Sequence, residues 1–445
     1  MRHQTLLGVL LLCLSISPFV HAQDGPPPFI EKGIMQLEAF FESEGSEAIE
    51  QFIQDAMNTA ASQEKASWQN KLAALRTEFQ QSLDGVSVEG APDGVLMNFS
   101  GSGGDKRLKI IFDSDEKRIA DLVQLALPKP MQIDLENLSA TIDTLAMKGM
   151  SGVISLKIKG KMILERPFGM ANRSLDQANQ LSSVFGTGSR PIDYTIAAIQ
   201  LLDQEGKLSL EDPISKYFHM APADKKDISI QQLMTGGSGL PDFFDTPDDW
   251  DPDLAWVDRE TAIQRMFKQS LLFEPGTEEE HSHGAFGILA ALVEMISGES
   301  YYAFLRKHFF DPAGMQHTGE YGETRGLAFT DFAEGGGPSK IGTPNIPPNW
   351  GPTSWLIKGS GGMYSTLGDL KKFYQFIRSG TVLDETHQKV FRQRTVNLDG
   401  SDRGFELLSA YYPSDTELWF FLNETGDRSQ LRPLFRALIA LLPKE

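Results

Sequence analysis

One serine lies at a position where it could act as a nucleophile. In "VFGTGSRPIDYTIAAIQLLDQEGKLSLEDP", residues 184–213, Ser189 follows small residues and precedes an apolar stretch typical of a helix. A serine hydroxyl is a weak nucleophile until a neighbouring group accepts its proton. Without such a group, the same serine is only a polar residue where a helix begins. The sequence therefore leaves two readings of Ser189, catalytic and structural.

Two histidines form the other candidate for chemistry. His281 and His283 stand in "EEEHSHGAFG", next to three glutamates. Histidine changes charge near neutrality and is the most common general base in proteins. An H-x-H pair can also bind a metal, but the sequence defines no third ligand. We therefore predict no metal site and no cofactor, and we keep His281 and His283 as candidate catalytic residues.

The N-terminal residues predict export. Residues 1–22 combine an Arg2 start, an apolar run and a small-residue end at Ala22, which is typical of a cleaved signal peptide. The single cysteine, Cys13, lies within this segment. Residues 23–28, "QDGPPP", follow as a stiff, Pro-rich leader. We expect a periplasmic or extracellular protein whose mature chain contains no thiol.

Two folded parts are expected after the leader. Residues 29–126 change from helical spacing to period-two strand patterns, which predicts a small α+β domain. Its make-up looks similar to the cystatin-like or NTF2-like modules that precede some secreted hydrolase domains. Residues 127–136 contain two prolines and form the predicted linker. In residues 137–445, strands at both ends flank a helical block, so we expect one antiparallel sheet with helices packed on it.

The charge balance excludes several classes of partner. The formal net charge of −19 argues against binding to nucleic acid or to anionic lipid surfaces. No apolar run after the signal peptide is long enough to anchor the chain, so we expect no stable membrane insertion. Acidic stretches such as 241–253 and 278–280 are interpreted as solvated loops.

Long segments in the second part resemble a known family. They include "EGKLSLEDPISKYF", "ISIQQLMTGGSGLPDFF" and "GSGGMYSTLGDLKKFYQFIRSG". Their order and spacing resemble the serine β-lactamase-like family, which contains class C β-lactamases, D-alanyl-D-alanine peptidases and related esterases. The resemblance extends from about Asn137 to Leu442, and it implies the α+β fold of β-lactamases and transpeptidases.

The catalytic motifs of that family are altered in this chain. The resemblance assigns its S-x-x-K motif to Ser189 and Ile192, and isoleucine cannot accept a proton. Its Y-x-N motif corresponds to residues 281–283, "HSH", and its K-T-G motif to residues 398–400, "LDG". The family usually has histidine where this chain has Gly236. The lysine of S-x-x-K, the tyrosine and asparagine of Y-x-N and the lysine of K-T-G (the late cation) are all replaced. The catalytic side chains that the family normally uses are therefore missing.

The residues around Ser189 add further expectations. Pro191 disfavours helical geometry at Arg190, so the helix should begin at Pro191 and leave Ser189 just outside it. Arg190 stays protonated and cannot serve as a base. By the correspondence with Y-x-N, His281 could pair with Ser189, with Glu280 or Asp399 as groups that would orient the imidazole.

Two functions follow from this pattern. We favour a non-catalytic member of the family that binds either a small-molecule or cell-wall-derived ligand or a partner protein, since the scaffold segments are kept while the residues at the catalytic positions are replaced. The alternative is a serine hydrolase that uses Ser189 with His281 as base against a neutral ester or amide. β-Lactamase activity is not expected, because Asp399 would repel the carboxylate of a penicillin.

Overall fold

A computed structural model describes residues 28–443, with gaps at 59–63, 84, 92–93, 101, 114, 116, 128–130, 243–255, 338–343, 402 and 428–429. The predicted signal peptide lies outside the described residues, as does the predicted leader up to residue 27. The chain divides into two compact units, Met1–Lys129 and Pro130–Glu445, and the division falls within the predicted linker.

The first unit packs helices on a small sheet, as the change of period predicted. Its helices are α1 (Pro28–Glu42), α2 (Glu47–Ala56) and α3 (Lys65–Phe79). Four antiparallel strands follow as a meander, β1 (Gly85–Ala91), β2 (Gly94–Ser100), β3 (Lys106–Phe112) and β4 (Ile119–Leu125). Phe41 and Phe79 stack on each other at 5.2 Å, and Phe99 from the sheet meets both rings edge-on. This aromatic contact joins the helices to the sheet.

The second unit is built on a sheet of five antiparallel strands taken from both ends of the unit. The order is β12-β13-β14-β5-β6, so β12 is an edge strand. The strands are β5 (Ser151–Ile158), β6 (Lys161–Phe168), β12 (Thr395–Gly400), β13 (Glu406–Tyr412) and β14 (Thr416–Glu424). Short pairings join β7 (Met170–Asn172) to β8 (Gln177–Ala178), and β11 (Met363–Ser365) to both β9 (Phe185–Gly186) and β10 (Gly319–Glu320). The predicted fold class is confirmed.

Helices cover both faces of this sheet. Because side chains alternate along a strand, Val153 belongs to one core and Ile154 to the other. The first core contains the helical block: α5 (Pro191–Gln204), α6 (Ile230–Thr235), α7 (Arg259–Lys268), α8 (His283–Ser297), α9 (Tyr301–Leu305) and α10 (Leu367–Arg378). The second core lies under α4 (Leu138–Met147) and α11 (Leu431–Ala440).

α5 and α8 pack against each other in the first core. Nine consecutive residues of α8, from Ala285 to Val293 inclusive, are buried. No single described helix is long and apolar enough to cross a membrane. The required length and apolar character are met only by one pair of helices taken together, His283–Ser297 and Tyr301–Phe310, and this pair is bent by 76°.

Candidate active site

Ser189 lies in the turn between β9 and α5. α5 begins at Pro191, as the proline predicted, and the Ser189 carbonyl accepts a hydrogen bond from the Ile192 N–H at 3.1 Å. Arg190, however, already has helical dihedral angles of φ −57° and ψ −30°, contrary to expectation. Its guanidinium is held by ion pairs, which offset the steric preference imposed by the following proline. Ser189 is partly exposed at the start of a rigid, buried helix.

The edge strand β12 runs beside this turn. Gly188 has a φ of +54°, and a Cβ at this position would lie 2.9 Å from both the N and the O of Gly400. Only glycine permits both the backbone angle and this close approach. The Ser401 N–H donates to Phe405 on the β13 side at 3.0 Å, so the Gly400 N–H and C=O point the other way, towards Gly188. The end of β12 therefore flanks the turn that carries Ser189.

The start of α8 holds the histidines in place. Ser282 is the N-cap, and its hydroxyl oxygen accepts from the Ala285 N–H at 3.2 Å. The same hydroxyl donates to the Pro241 carbonyl at 3.0 Å. One serine thus starts the helix and ties the segment ending in Pro241-Asp242 to it. This bond sets Asp242 next to His283, the first residue of α8.

Ser189, His283 and Asp242 form a connected chain of hydrogen bonds. The Ser189 Oγ lies 3.2 Å from the His283 Nε2, and the His283 Nδ1 lies 2.7 Å from the Asp242 Oδ2. The side chains of His283 and Asp242 are largely buried, with exposed fractions of 16% and 20%. The Ser189 hydroxyl therefore has a potential proton acceptor beside it, although the lysine of the S-x-x-K motif is replaced by Ile192.

The order of these contacts defines the proton positions. A carboxylate can only accept, so Asp242 fixes the tautomer with a proton on the Nδ1 of His283. The Nε2 then carries the lone pair that faces the Ser189 hydroxyl. This is the geometry of a nucleophile, a general base and an orienting carboxylate. Asp242, rather than Glu280 or Asp399, is the carboxylate that orients the imidazole.

His281 occupies a different place from the predicted one. Its ring meets the ring of His283 edge-on, with centroids 4.6 Å apart, and no described contact joins it to Ser189. The His281 residue is exposed to solvent. Partial desolvation by the surrounding protein lowers the pKa of His281 below its ordinary value, the charge of His283 lowers it further, and Asp242 opposes both. His283, and not His281, is the histidine in contact with the serine.

Gly236 and Glu280 support the backbone that leads to these histidines. Gly236 ends α6 with a φ of +86°, and its carbonyl accepts from the Glu280 N–H at 3.0 Å. A Cβ on residue 236 would lie 2.8 Å from the Glu280 carbonyl oxygen. The histidine that the family usually has at this position could not fit here without moving residues 280–283. Burial raises the pKa of Glu280.

Asp399 is buried in an ion pair and does not face a substrate. Its Oδ2 lies 2.8 Å from the Arg190 Nε, and its Oδ1 accepts from the Arg190 Nη2 at 3.1 Å. Arg190 also donates to Asp193 and to the hydroxyl of Tyr374, each at 2.9 Å. Burial raises the pKa of Asp399 and Arg190 opposes this. For Arg190 burial lowers the pKa, but Asp399, Tyr374 and Asp193 together outweigh it and raise the pKa above its ordinary value. The predicted repulsion of a carboxylate by Asp399 is therefore wrong.

The ion pair joins β12 to the turn that carries Ser189. Arg190 is the next residue after the serine, and Asp399 precedes Gly400 at the end of the strand. Because both partners are buried, the pair holds these two segments together with little competition from water.

Replacing Asp399 by alanine should destabilise the second unit strongly. The change leaves Arg190 buried without its main partner, and breaking such a pair costs about 3–5 kcal/mol of the free energy of unfolding. Chemical denaturation, followed by tryptophan fluorescence, measures this loss in the free energy of unfolding. The matched control is Asp143→Ala, which removes an exposed partner of Arg166 and should change stability little. Equal stability of the two variants would contradict this role.

The remaining family positions carry apolar side chains. Ile192, at the lysine position, is partly buried and packs against the helical core. Leu398, at the position of the late cation, is 59% exposed on the edge strand. Neither side chain can hold a proton or a positive charge near Ser189.

Comparison with known proteins agrees with this architecture. Residues 140–422, more than half of the chain, match the family described as Beta-lactamase. The family match and the fold place the chain among proteins of the β-lactamase-fold serine hydrolase family. The chain belongs to the beta-lactamase family, as the sequence resemblance implied.

Individual relatives are distant. PbpX of Bacillus subtilis, named as a penicillin-binding protein, is 28% identical over 317 residues, which cover 67% of this chain and 76% of PbpX. A teichoic acid D-alanine hydrolase of Staphylococcus aureus is 23% identical over 280 residues, covering 62% of this chain and 64% of that protein. The crystal structure of a penicillin-binding protein from Bacillus halodurans superposes with a TM-score of 0.56 at 24% identity, over 70% of this chain and all of that one.

Proposed function

We propose that this protein is an active serine hydrolase of the beta-lactamase family, with Ser189 as nucleophile, His283 as general base and Asp242 as the orienting carboxylate. The observation that carries the proposal is the 3.2 Å contact between the Ser189 Oγ and the His283 Nε2, continued at 2.7 Å from the Nδ1 to Asp242. It supplies the proton acceptor that Ile192 cannot provide. General-base assistance contributes about 10²- to 10⁴-fold to the rate.

The proposed reaction is acyl transfer through a covalent intermediate. The Ser189 Oγ attacks the substrate carbonyl carbon while its proton passes to the His283 Nε2. The tetrahedral intermediate collapses, and His283 returns the proton to the leaving alcohol or amine. Water then attacks the acyl group on Ser189, again losing a proton to His283, and the acid is released with the serine restored.

The developing oxyanion needs donors opposite His283. The Ser189 N–H and the outward-pointing Gly400 N–H are our candidates, because the end of β12 approaches Gly188 closely. One well-placed donor of this kind is worth about 10²- to 10³-fold in rate. The ion pair between Arg190 and Asp399 supports this assignment, since it fixes the strand relative to the turn.

A neutral ester is the substrate class that fits best. Leu398 stands where the family has a cation, and Arg190, the residue after Ser189, is buried and paired with Asp399 and Asp193. A substrate carboxylate therefore finds no partner at these positions. One relative is named a teichoic acid D-alanine hydrolase, so D-alanine-bearing teichoic acid, which carries an ammonium group, is a natural substrate to test beside the neutral esters.

The test compares turnover of matched substrates. We expect p-nitrophenyl esters of short neutral acids to be hydrolysed, with a chromogenic penicillin hydrolysed at least about 100-fold more slowly in kcat/KM, because a lost charged hydrogen bond costs roughly 3 kcal/mol. Absorbance of the released chromophore measures both rates. No turnover of any ester would contradict the proposal, and equal turnover of the penicillin would contradict the substrate class.

A non-catalytic binding role is the second candidate. A binding role is favoured by Ile192 and Leu398, which are apolar residues at two positions where the family has catalytic side chains. In that case the site would bind a small-molecule or cell-wall-derived ligand without forming a covalent bond to Ser189. A thermal shift with peptidoglycan fragments, together with complete lack of turnover, would support this role over hydrolysis.

We also propose that the protein acts outside the cytoplasm. The signal-peptide pattern in residues 1–22 supports this, since removal after Ala22 would leave a chain that begins at Gln23. N-terminal sequencing of the protein isolated from its native host tests it. A chain that retains Arg2 and stays in the cytoplasm would contradict export.

A further inference from the structure

Three side chains at the active site form a set of potential metal ligands. Asp242, His281 and His283 each offer one ligand atom, and these atoms all lie within 4.8 Å of one another. Two imidazole nitrogens and one carboxylate oxygen make up a typical three-ligand set for zinc, which leaves a fourth position open. The set comes from two segments that Ser282 ties together through Pro241.

The charge state of the cluster suits a cation. Zinc binds imidazole in its neutral form and carboxylate in its charged form, the two kinds of side chain that this cluster supplies. Asp242 contributes a negative charge and is 20% exposed. Its second oxygen, Oδ1, is buried and accepts no hydrogen bond from any residue that the structure describes. A buried carboxylate oxygen without a donor is costly, and a bound cation would satisfy it.

The distances require only a small adjustment. Zinc bonds of about 2.0–2.2 Å place tetrahedral ligand atoms about 3.3 Å apart, so the cluster must tighten by about 1.5 Å at most. His281 is exposed and lies one position before the helix cap, outside α8. A change in its side-chain rotamer is therefore the adjustment that we expect to tighten the set.

We propose that Asp242, His281 and His283 bind a zinc-type divalent ion, and that the bound ion inhibits the hydrolase reversibly. His283 has two ring nitrogens, and each is engaged in the triad. An ion on the Nε2 displaces the Ser189 hydroxyl, while an ion on the Nδ1 replaces the proton that this nitrogen shares with Asp242 and leaves the proton of the neutral ring on the Nε2. Either way the histidine can no longer take the serine proton. The inhibitory part rests on the proposed function, whereas the metal site does not.

The binding experiment uses no substrate, so it is independent of catalysis. Metal-free wild-type protein and the Ser189→Ala variant are titrated with Zn²⁺ against a chromophoric chelator. Both should bind one ion. His281→Phe keeps an aromatic ring but has no ligand atom, and we expect its zinc affinity to fall at least about 100-fold, since even an outer partner of a ligand is worth about 10- to 100-fold. His219→Ala, at an exposed histidine outside the cluster, should bind zinc like the wild type.

Co²⁺ provides a second readout, because cobalt on two histidines and a carboxylate in four-fold coordination absorbs visible light. Its spectrum should appear in the wild type and be absent from His281→Phe. Absence of stoichiometric binding, or equal zinc affinity in wild type and His281→Phe, would overturn the metal site.

The inhibition experiment measures ester hydrolysis at increasing Zn²⁺, with each variant normalised to its own metal-free rate. Wild type should lose at least about 90% of its rate once the site is filled, and a chelator should restore it, since a ligated base cannot accept a proton. His281→Phe should need about 100-fold more zinc for the same loss. A filled site with an undiminished rate would overturn the inhibitory part. If no ester is turned over, the proposed function fails while the titration still decides the metal site.

Discussion

Replacing Ser189 by alanine should remove nearly all ester hydrolysis, because the variant has no hydroxyl to attack the carbonyl. The helix that begins at Pro191 does not depend on the Ser189 side chain, so the fold should be kept. Any remaining rate should be limited to the roughly 10³- to 10⁴-fold acceleration over water that an oxyanion hole and binding can supply alone. Steady-state kinetics with a p-nitrophenyl ester measures the loss in kcat/KM.

The matched control for this variant is Ser182→Ala. Ser182 is an exposed serine a few residues before the site, and its removal should leave the kinetics unchanged. Ester hydrolysis that survives in Ser189→Ala at the wild-type rate would mean that another residue is the nucleophile, or that a contaminant carries the activity.

Replacing His283 by alanine should lower kcat/KM about 10²- to 10⁴-fold, since the proton of Ser189 then has no acceptor. His281→Phe should lose much less, because His281 meets only the edge of the His283 ring. Asp242→Asn should also lower kcat/KM, as His283→Ala does, since an amide can no longer fix the proton on the His283 Nδ1.

A double variant sharpens this test. If Ser189 and His283 act as one unit, Ser189→Ala with His283→Ala should be no slower than Ser189→Ala alone. Additive losses would mean that the two residues contribute separately. A larger loss in His281→Phe than in His283→Ala would restore His281 as the base and contradict the observed contact.

The fold was predictable from the sequence because its signals are local and repeated. Period-two segments gave the strands at both ends of the second unit, and long segments resembled the family. The start of α5 was also predictable, since proline at the first helical position marks it. These features depend on neighbouring residues, which a sequence displays directly.

The choice between the two histidines was not predictable in the same way. His281 and His283 are two residues apart, and correspondence with Y-x-N directed attention to His281. The structure differs because Ser282 caps α8 and makes His283 its first residue. In that position the ring faces Ser189, while the ring of His281 lies beside it. The N-cap serine was the available signal, since serine followed by an apolar run is typical of a helix start.

Asp242 was missed for a different reason. It stands in an acidic, Pro-rich stretch that was interpreted as a solvated loop, 41 residues before His283. Long-range hydrogen bonds, such as the one from the Ser282 hydroxyl to the Pro241 carbonyl, bring the two segments together. Asp399 differs in the opposite sense, since a carboxylate at a substrate-binding position is expected to face the substrate but is paired with Arg190. A pairing across 209 positions leaves no pattern in a single sequence.

Intact-mass analysis of the metal-free protein after treatment with a fluorophosphonate is the most direct test of whether Ser189 has a working base. We expect one adduct per chain, located by peptide mapping on the peptide that contains Ser189, with labelling much slower in His283→Ala. Wild-type protein that keeps its unmodified mass under prolonged treatment, or an adduct on any other residue, would contradict the assignment of Ser189, His283 and Asp242 as a catalytic unit.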